Sequence, residues 1–375
     1  MLLSCEGIVF FFFFTSAYVF FGLAIQLPAR SKTRYALAAL NAASGAAALK
    51  SAGNGGFAFS QLWALATVNV ALHAFSLLAI EGTMVDMQTL PILQRPRTAW
   101  RHWSNIRRLE ILGQPQTLDT DYLAFAGNKC LRVIGLWRLC QLEVRIATEI
   151  FRSLDIPISA SLTPLPTPLP SSEHLLFWAF ETTRWMIYTW WALSAAHDFF
   201  SILFISILRW DEPHEWPPLF GSISEAYSLR RFWGVFWHRL NRSLADAYLP
   251  LACLTLGLKG NKDTVHPALR ALWVFLFSVV FHAAANCAQF GRPDITKEMK
   301  FFMANFAVCY AETVAGRVWR GLWGGKRVKS QPGLLRRMLG YVWVYLVFFM
   351  LYPTWQWHVA WEVVRRGLVA QGISL

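Results

Sequence analysis

Apolar residues gather into long blocks separated by short basic stretches, and the block lengths set the first expectation. A bilayer core about 30 Å thick takes about 20 apolar residues in a helix. Ile8 to Leu27 meets that length, with Phe at every position from Phe10 through Phe14. No Lys or Arg precedes the run and no A-x-A site follows it cleanly, which favours a retained span over a signal peptide. Tyr35 to Leu49 is Ala-rich and only marginally long enough. Phe57 to Ile80 is a clear span, with Gly53, Gly55 and Gly56 predicting a turn before it. His174 to Trp210 is almost continuously apolar and too long for one crossing, so a break near His197–Asp198 is expected to make two. Pro267 to Phe290, Phe301 to Ala315 and Met338 to Trp361 follow, and Leu244 to Leu258 is short enough to be re-entrant. The expected architecture is all-α: one polytopic integral membrane domain over 1–375, with seven to nine transmembrane helices plus amphipathic surface helices.

Between the blocks the pattern changes. No segment from Glu81 to Glu173 reads as a span. Asp119 to Leu154 has helical periodicity, with Leu131, Ile134, Trp137 and Leu142 interleaved with Arg132, Arg138 and Arg145. That pattern suits a cationic amphipathic helix on a membrane surface. Leu162 to Pro170 is too Pro-dense for a helix and reads as a stiff tether. Residues 81–173 are thus expected to be a cytosolic elaboration, and 210–290 the motif-bearing core. Counting the first three spans puts Arg30, Lys32 and Arg34 on the same side as Arg95, Arg97, Arg101, Arg107 and Arg108. The positive-inside rule makes that side cytosolic and the N-terminus lumenal. No internal repeat of the transporter kind is visible.

Composition sharpens this picture. Of 375 residues, 55% are apolar and 15% charged, against roughly 25% charged in soluble domains. Disorder is excluded by the apolar content, and a small disulfide scaffold by having only six cysteines, which form no C-x-x-C pair, have no His at ligand spacing and read as buried free thiols. The 19 Trp and 29 Phe suit a chain whose solvent is partly lipid. The formal net charge is +13.

Two stretches carry candidate chemistry. Trp216 to Arg242 reads WPPLFGSISEAYSLRRFWGVFWHRLNR, with Arg230, Arg231, Arg239 and Arg242 set among Phe232, Trp233, Phe236 and Trp237. Helical spacing would give one aromatic and one cationic face, as in a membrane-surface helix. The functional alternative is a cytosolic mouth for a polyanion, where Arg forks hold phosphate. The second stretch holds His282. On a helix from Pro267 to Phe290 it lies roughly 6 Å along the axis from the midpoint near Ser278. An ionisable residue so deep faces a cavity or a partner, and Asn286 stands one turn on, with Gln289 behind. Glu181 and Arg184 are spaced to pair, while Glu312, His197 and Asp198 either line a cavity or fix helix packing.

The string from Trp216 to His238 resembles the wax-synthase-like branch of the membrane-bound O-acyltransferase superfamily. It is closest to fungal O-acetyltransferases of terpenoids, meroterpenoids and trichothecenes. The resemblance is strongest over 210–289. A Trp-Asn or Trp-His follows F-W-G in that family, and a catalytic His follows Ser-Gly-x-x-His in a later membrane helix; His238 and His282 take these positions. Val279 replaces the Gly of that second element, and Ala283 stands where plant wax synthases carry an acid. The resemblance implies His282 as general base, with His238, and more weakly Asn286, polarising or orienting the acyl group. It implies acetyl-CoA or another acyl-CoA as co-substrate, its phosphates held by Arg230, Arg231, Arg239 and Arg242 beside Trp233 and Trp237. A lipophilic alcohol is the expected acceptor, in the lipid of the endoplasmic reticulum, with the basic loops cytosolic. No metal, permanent cofactor or nucleic acid is called for. The alternatives are a long-chain wax or sterol ester synthase and, in another class, a transporter of lipophilic or anionic solutes.

Overall fold

A computed structural model describes residues 5–53, 60–109, 121–153, 172–257, 260–261, 263–290, 295–322 and 333–370. Every regular element among them is helical. The chain divides into two compact units, one formed by Met1–Glu110 with Arg239–Phe306, the other by Ile111–His238 with Ala307–Leu375.

The first unit is built from α1 (Cys5–Ala24), α2 (Lys32–Gly53), α3 (Ser60–Phe75), α4 (Gln94–Ser104), α8 (Leu240–Thr255), α9 (Pro267–Phe290) and the first part of α10 (Ile295–Leu322). Small side chains let its first helices approach closely: Ala17, Ala24, Ala48 and Ala52 are all buried. Asn41 Nδ2 donates to the Ala17 carbonyl at 2.7 Å, crossing from α2 to α1. A π-helical turn, Ser76–Ile80, ends α3. The fully buried Arg34 meets it there, donating to the carbonyls of Leu77 and Leu78, and also to Leu27 and Thr83. Arg34 is therefore not a loop charge facing water. It satisfies carbonyls that a helix end leaves without intrahelical donors. Further on, α8 and α9 are joined by Arg270 Nε donating to Asp246 at 2.7 Å and Trp273 Nε1 to the Ala245 carbonyl at 2.7 Å.

The second unit holds α5 (Tyr122–Ser153), α6 (Ser172–Ser201), the short α7 (Leu229–Arg231), the rest of α10, and α11 (Leu334–Ala370). No break occurs at His197–Asp198: α6 runs on into a π-helical stretch, Ile202–Ile207, and makes one long apolar helix instead of two crossings. Asp198, 2% exposed at its side chain, explains why the helix need not open to water there. Lys129 Nζ lies 2.5 Å and Arg132 Nε 3.1 Å from its carboxylate, both from α5. With Ser206 Oγ donating to the Tyr122 carbonyl, these contacts set α5 antiparallel along α6. The expected surface helix is thus a packed partner of α6. Its outer positions Leu131, Ile134, Trp137 and Leu142 remain exposed.

Five helical stretches among the described residues are long and apolar enough to cross a membrane: Cys5–Ala24, Leu62–Ile80, Trp178–Ile207, Pro267–Ala288 and Leu334–Gln356. The expected seven to nine counted two crossings in α6 and added α2, α8 and α10. Of these, α8 has only 16 residues. Lys32, Arg34 and Lys50 interrupt α2, and Lys297, Glu298, Lys300, Glu312 and Arg317 interrupt α10. The Pro-dense tether and the turn at Gly55 and Gly56 lie outside the described residues.

Candidate active site

In the first unit α9 presents Ser278, His282 and Asn286 at intervals of four, on one face. That face meets the start of α10. Asn286 Nδ2 donates to Glu298 Oε1 at 2.7 Å, and the Phe302 ring lies 5.2 Å from the His282 ring at 30°. Glu298 is 2% exposed and Asn305 fully buried, so this is an interior polar seam flanked by Phe281, Phe301 and Phe302. Glu298 escaped the sequence reading because the expected span began at Phe301. The usable signal was a carboxylate in the first turn of a helix, where the helix dipole favours it.

The same unit holds two of the predicted phosphate-binding arginines. Arg239 and Arg242 are exposed at the start of α8. Ser243 Oγ donates to the Arg107 carbonyl at 2.9 Å, fixing the preceding loop beside this helix end. Burial, and then the neighbouring Arg239, hold the Arg107 guanidinium below the usual arginine range. Two guanidinium groups beside a positive helix end repel each other and attract an anion. Arg107 had served only as a loop charge in the sequence.

The second unit carries the rest of the motif. Trp216–Arg242 is not an amphipathic helix. Two 3-10 turns, Pro213–Glu215 and Ile223–Glu225, lead into α7, which becomes a π-helical turn at Phe232–Phe236 before Trp237 turns extended. Glu312 of α10 holds this short element by its N-terminus. Its two oxygens accept from the Leu229 and Arg230 amides at 2.8 and 2.9 Å, and Oε1 also accepts from Trp343 Nε1. Gly221 donates its amide to the Phe236 carbonyl at 2.8 Å, and a Cβ there would come within 2.3 Å of the Val235 carbonyl oxygen. Phe232, Phe236 and Trp237 are buried. They join Trp185 of α6 and Phe348 of α11, with ring centroids 4.7 Å apart for Phe232–Phe348 and 5.5 Å for Trp185–Trp237. Trp233 is half-buried at the edge of this cluster.

His238 ends the strip, with its ring 5.7 Å from Phe220 at 89° and 5.6 Å from Trp237. Arg231 pairs with Glu225 and stacks 4.8 Å from the Tyr227 centroid, with Arg337 also near that ring at 5.8 Å. Arg230 is exposed. His282, Asn286, Arg239 and Arg242 thus belong to one unit, and His238, Arg230, Arg231, Trp233 and Trp237 to the other. Glu181 and Arg184 pair as their spacing predicts, at 2.9 Å. Among the described residues, no three His, Cys, Asp or Glu side chains gather as a metal site would need.

Comparison with known proteins gives a consistent answer. Residues 216–304 match the model of the membrane bound O-acyl transferase family. The acetyltransferase TRI7 of Fusarium sporotrichioides is 30% identical over 171 residues, 44% of this chain and 38% of its own length. The acetyltransferase eriL of Hericium erinaceus is 28% identical over 202 residues, covering 52% and 47%. The O-mevalon transferase macI of Penicillium terrestre is 32% identical over 185 residues, covering 44% and 38%. The chain thus spans less than half the length of these relatives. No solved structure matches. The stretch 216–304, with both motif histidines and the α9–α10 seam inside it, is thus the part of the chain that is similar to the membrane bound O-acyl transferase family.

Proposed function

We propose that the protein transfers an acetyl group from acetyl-CoA to a hydroxyl of a lipophilic terpenoid or related secondary metabolite, with His282 as general base. The observation that carries this reading is His282 itself: an imidazole in an apolar helix, inside the matched segment, on a face shared with Asn286. As base it takes the hydroxyl proton while the oxygen attacks the thioester carbonyl. Coenzyme A leaves as the carbon–sulfur bond breaks and takes up a proton. A placed base contributes roughly 10²–10⁴-fold. A donor at the carbonyl oxygen adds about 3–4 kcal/mol, the role proposed for His238. Arg239 and Arg242, with Arg107 behind them, suit the phosphates of coenzyme A, as do the Arg230 and Arg231 guanidiniums. The relatives named acetyltransferases support the short acyl group. A single catalytic domain in the endoplasmic reticulum membrane, crossing it through the long apolar helices with its basic loops cytosolic, completes the proposal.

The test needs no knowledge of the acceptor. Protein purified in detergent should bind labelled acetyl-CoA saturably, with displacement by free coenzyme A and no better displacement by oleoyl-CoA. His282→Ala should keep that binding and lose ester formation. Much tighter oleoyl-CoA binding would favour a long-chain ester synthase. Folded protein that binds none of the three would overturn acyl transfer.

A further inference from the structure

We infer that Glu298 is the positioning residue of the His282 site, an inference that rests on the acyl-transfer reading above. Glu298 is 2% exposed, and its carboxylate is 2.7 Å from Asn286 Nδ2. A carboxylate only accepts, so the Asn286 amide is fixed in one sense: the N–H side toward Glu298, the carbonyl oxygen left for another donor. Asn286 lies one helical turn, about 6 Å of rise, beyond His282 on the same face of α9. Phe302, one turn beyond Glu298 on α10, lies against the His282 ring. The two helices thus meet through two successive pairs, Asn286 with Glu298 and His282 with Phe302. The pair bearing the charge orients the pair bearing the imidazole.

This arrangement has a chemical use. As His282 accepts the hydroxyl proton it becomes a cation within an apolar helix. A fixed negative charge one turn away stabilises that cation far more than water-exposed charge would. Ionised carboxylates are costly to bury unless hydrogen-bonded, and Glu298 meets that cost with the Asn286 amide and its place in the first turn of α10. A Gln at the position would preserve shape and an acceptor oxygen while removing the charge, so the charge can be tested apart from the helix contact.

Glu298→Gln should lower kcat about tenfold while leaving KM for acyl-CoA and acceptor within about twofold. The acidic limb of its kcat profile should move to lower pH, because protonated His282 has lost its counter-charge. Wild-type kcat and an unmoved limb in Glu298→Gln would overturn the inference and leave Glu298 an interhelical contact. Ester formation by His282→Ala, assayed in parallel, would instead defeat the acyl-transfer reading. A readout independent of turnover covers that case. Carbethoxylation of His282 by diethyl pyrocarbonate, followed by mass spectrometry against pH, should shift its midpoint by at least half a pH unit in Glu298→Gln. Identical profiles would overturn the inference with or without turnover.

Discussion

Gly221 and Gly340 are glycines because another backbone occupies the space a Cβ would need. At Gly340 on α11 the added carbon would approach the Tyr227 carbonyl oxygen to 2.1 Å, closer than the corresponding approach to Val235 at Gly221. Gly234, the glycine of F-W-G, has nothing within 4 Å of such a carbon. The expected outcome is therefore uneven. Gly221→Ala and Gly340→Ala should each destabilise by about 1–3 kcal/mol, the range for forced overpacking, and Gly234→Ala should leave stability nearly unchanged. Thermal unfolding in one detergent decides it, and equal losses at all three would mean the close approaches carry no weight. Sequence reading could mark the motif from Trp216 to His238 as unusual. It could not tell which glycine was under steric demand, because that depends on how the chain folds back to bring the Val235 carbonyl onto Gly221.

At the scale of elements, helices were legible wherever apolar length alone decided them: α3 and α9 fall within the expected blocks, and α1 and α11 overlap theirs but start earlier. The reading failed where a charge in an apolar block had a partner elsewhere. Asp198 predicted a break, yet Lys129 and Arg132 of α5 neutralise it and α6 continues. Asp198→Asn should destabilise by about 2–3 kcal/mol, less than a fully buried pair loses because the partners keep contact with solvent. Adding Lys129→Met to Asp198→Leu should recover part of the loss of Asp198→Leu alone. Additive losses in that double-mutant cycle would deny the pairing. The Glu312 cap shows the same limit. A lone Glu in α10 read as cavity lining or packing, and only the fold reveals the two amides and the indole it accepts from.

Over the whole molecule, apolar surface is the clearest sign of the solvent. Met338, Leu339, Val342, Trp343, Leu346 and Met350 of α11 are 47–69% exposed, as are Phe12, Val19 and Leu23 of α1 at comparable levels. Ridges of that kind are liabilities in water and ordinary in lipid. Composition foretold this much. The candidate site was half legible: His282 and Asn286 stood out as polar residues in an apolar helix, whereas Glu298 and Arg107 acquire meaning only from the helix ends they meet.

Arg34 also bears on the order in which the chain is made. Its guanidinium ends among carbonyls at Leu77, Leu78 and Thr83, and Leu78 lies 44 residues further along. At about 5–20 residues per second, those acceptors follow Arg34 from the ribosome by roughly 2–9 seconds. During that interval α1 and α2 exist with an uncompensated charge that must stay at the water or headgroup level. The first two helices therefore should not settle fully against each other before the third arrives. Arrested chains exposing nothing beyond α2 should leave that hairpin open to protease, and chains exposing residues through Glu110 should protect it. Early protection, without Leu77 and Leu78, would show the hairpin settling alone.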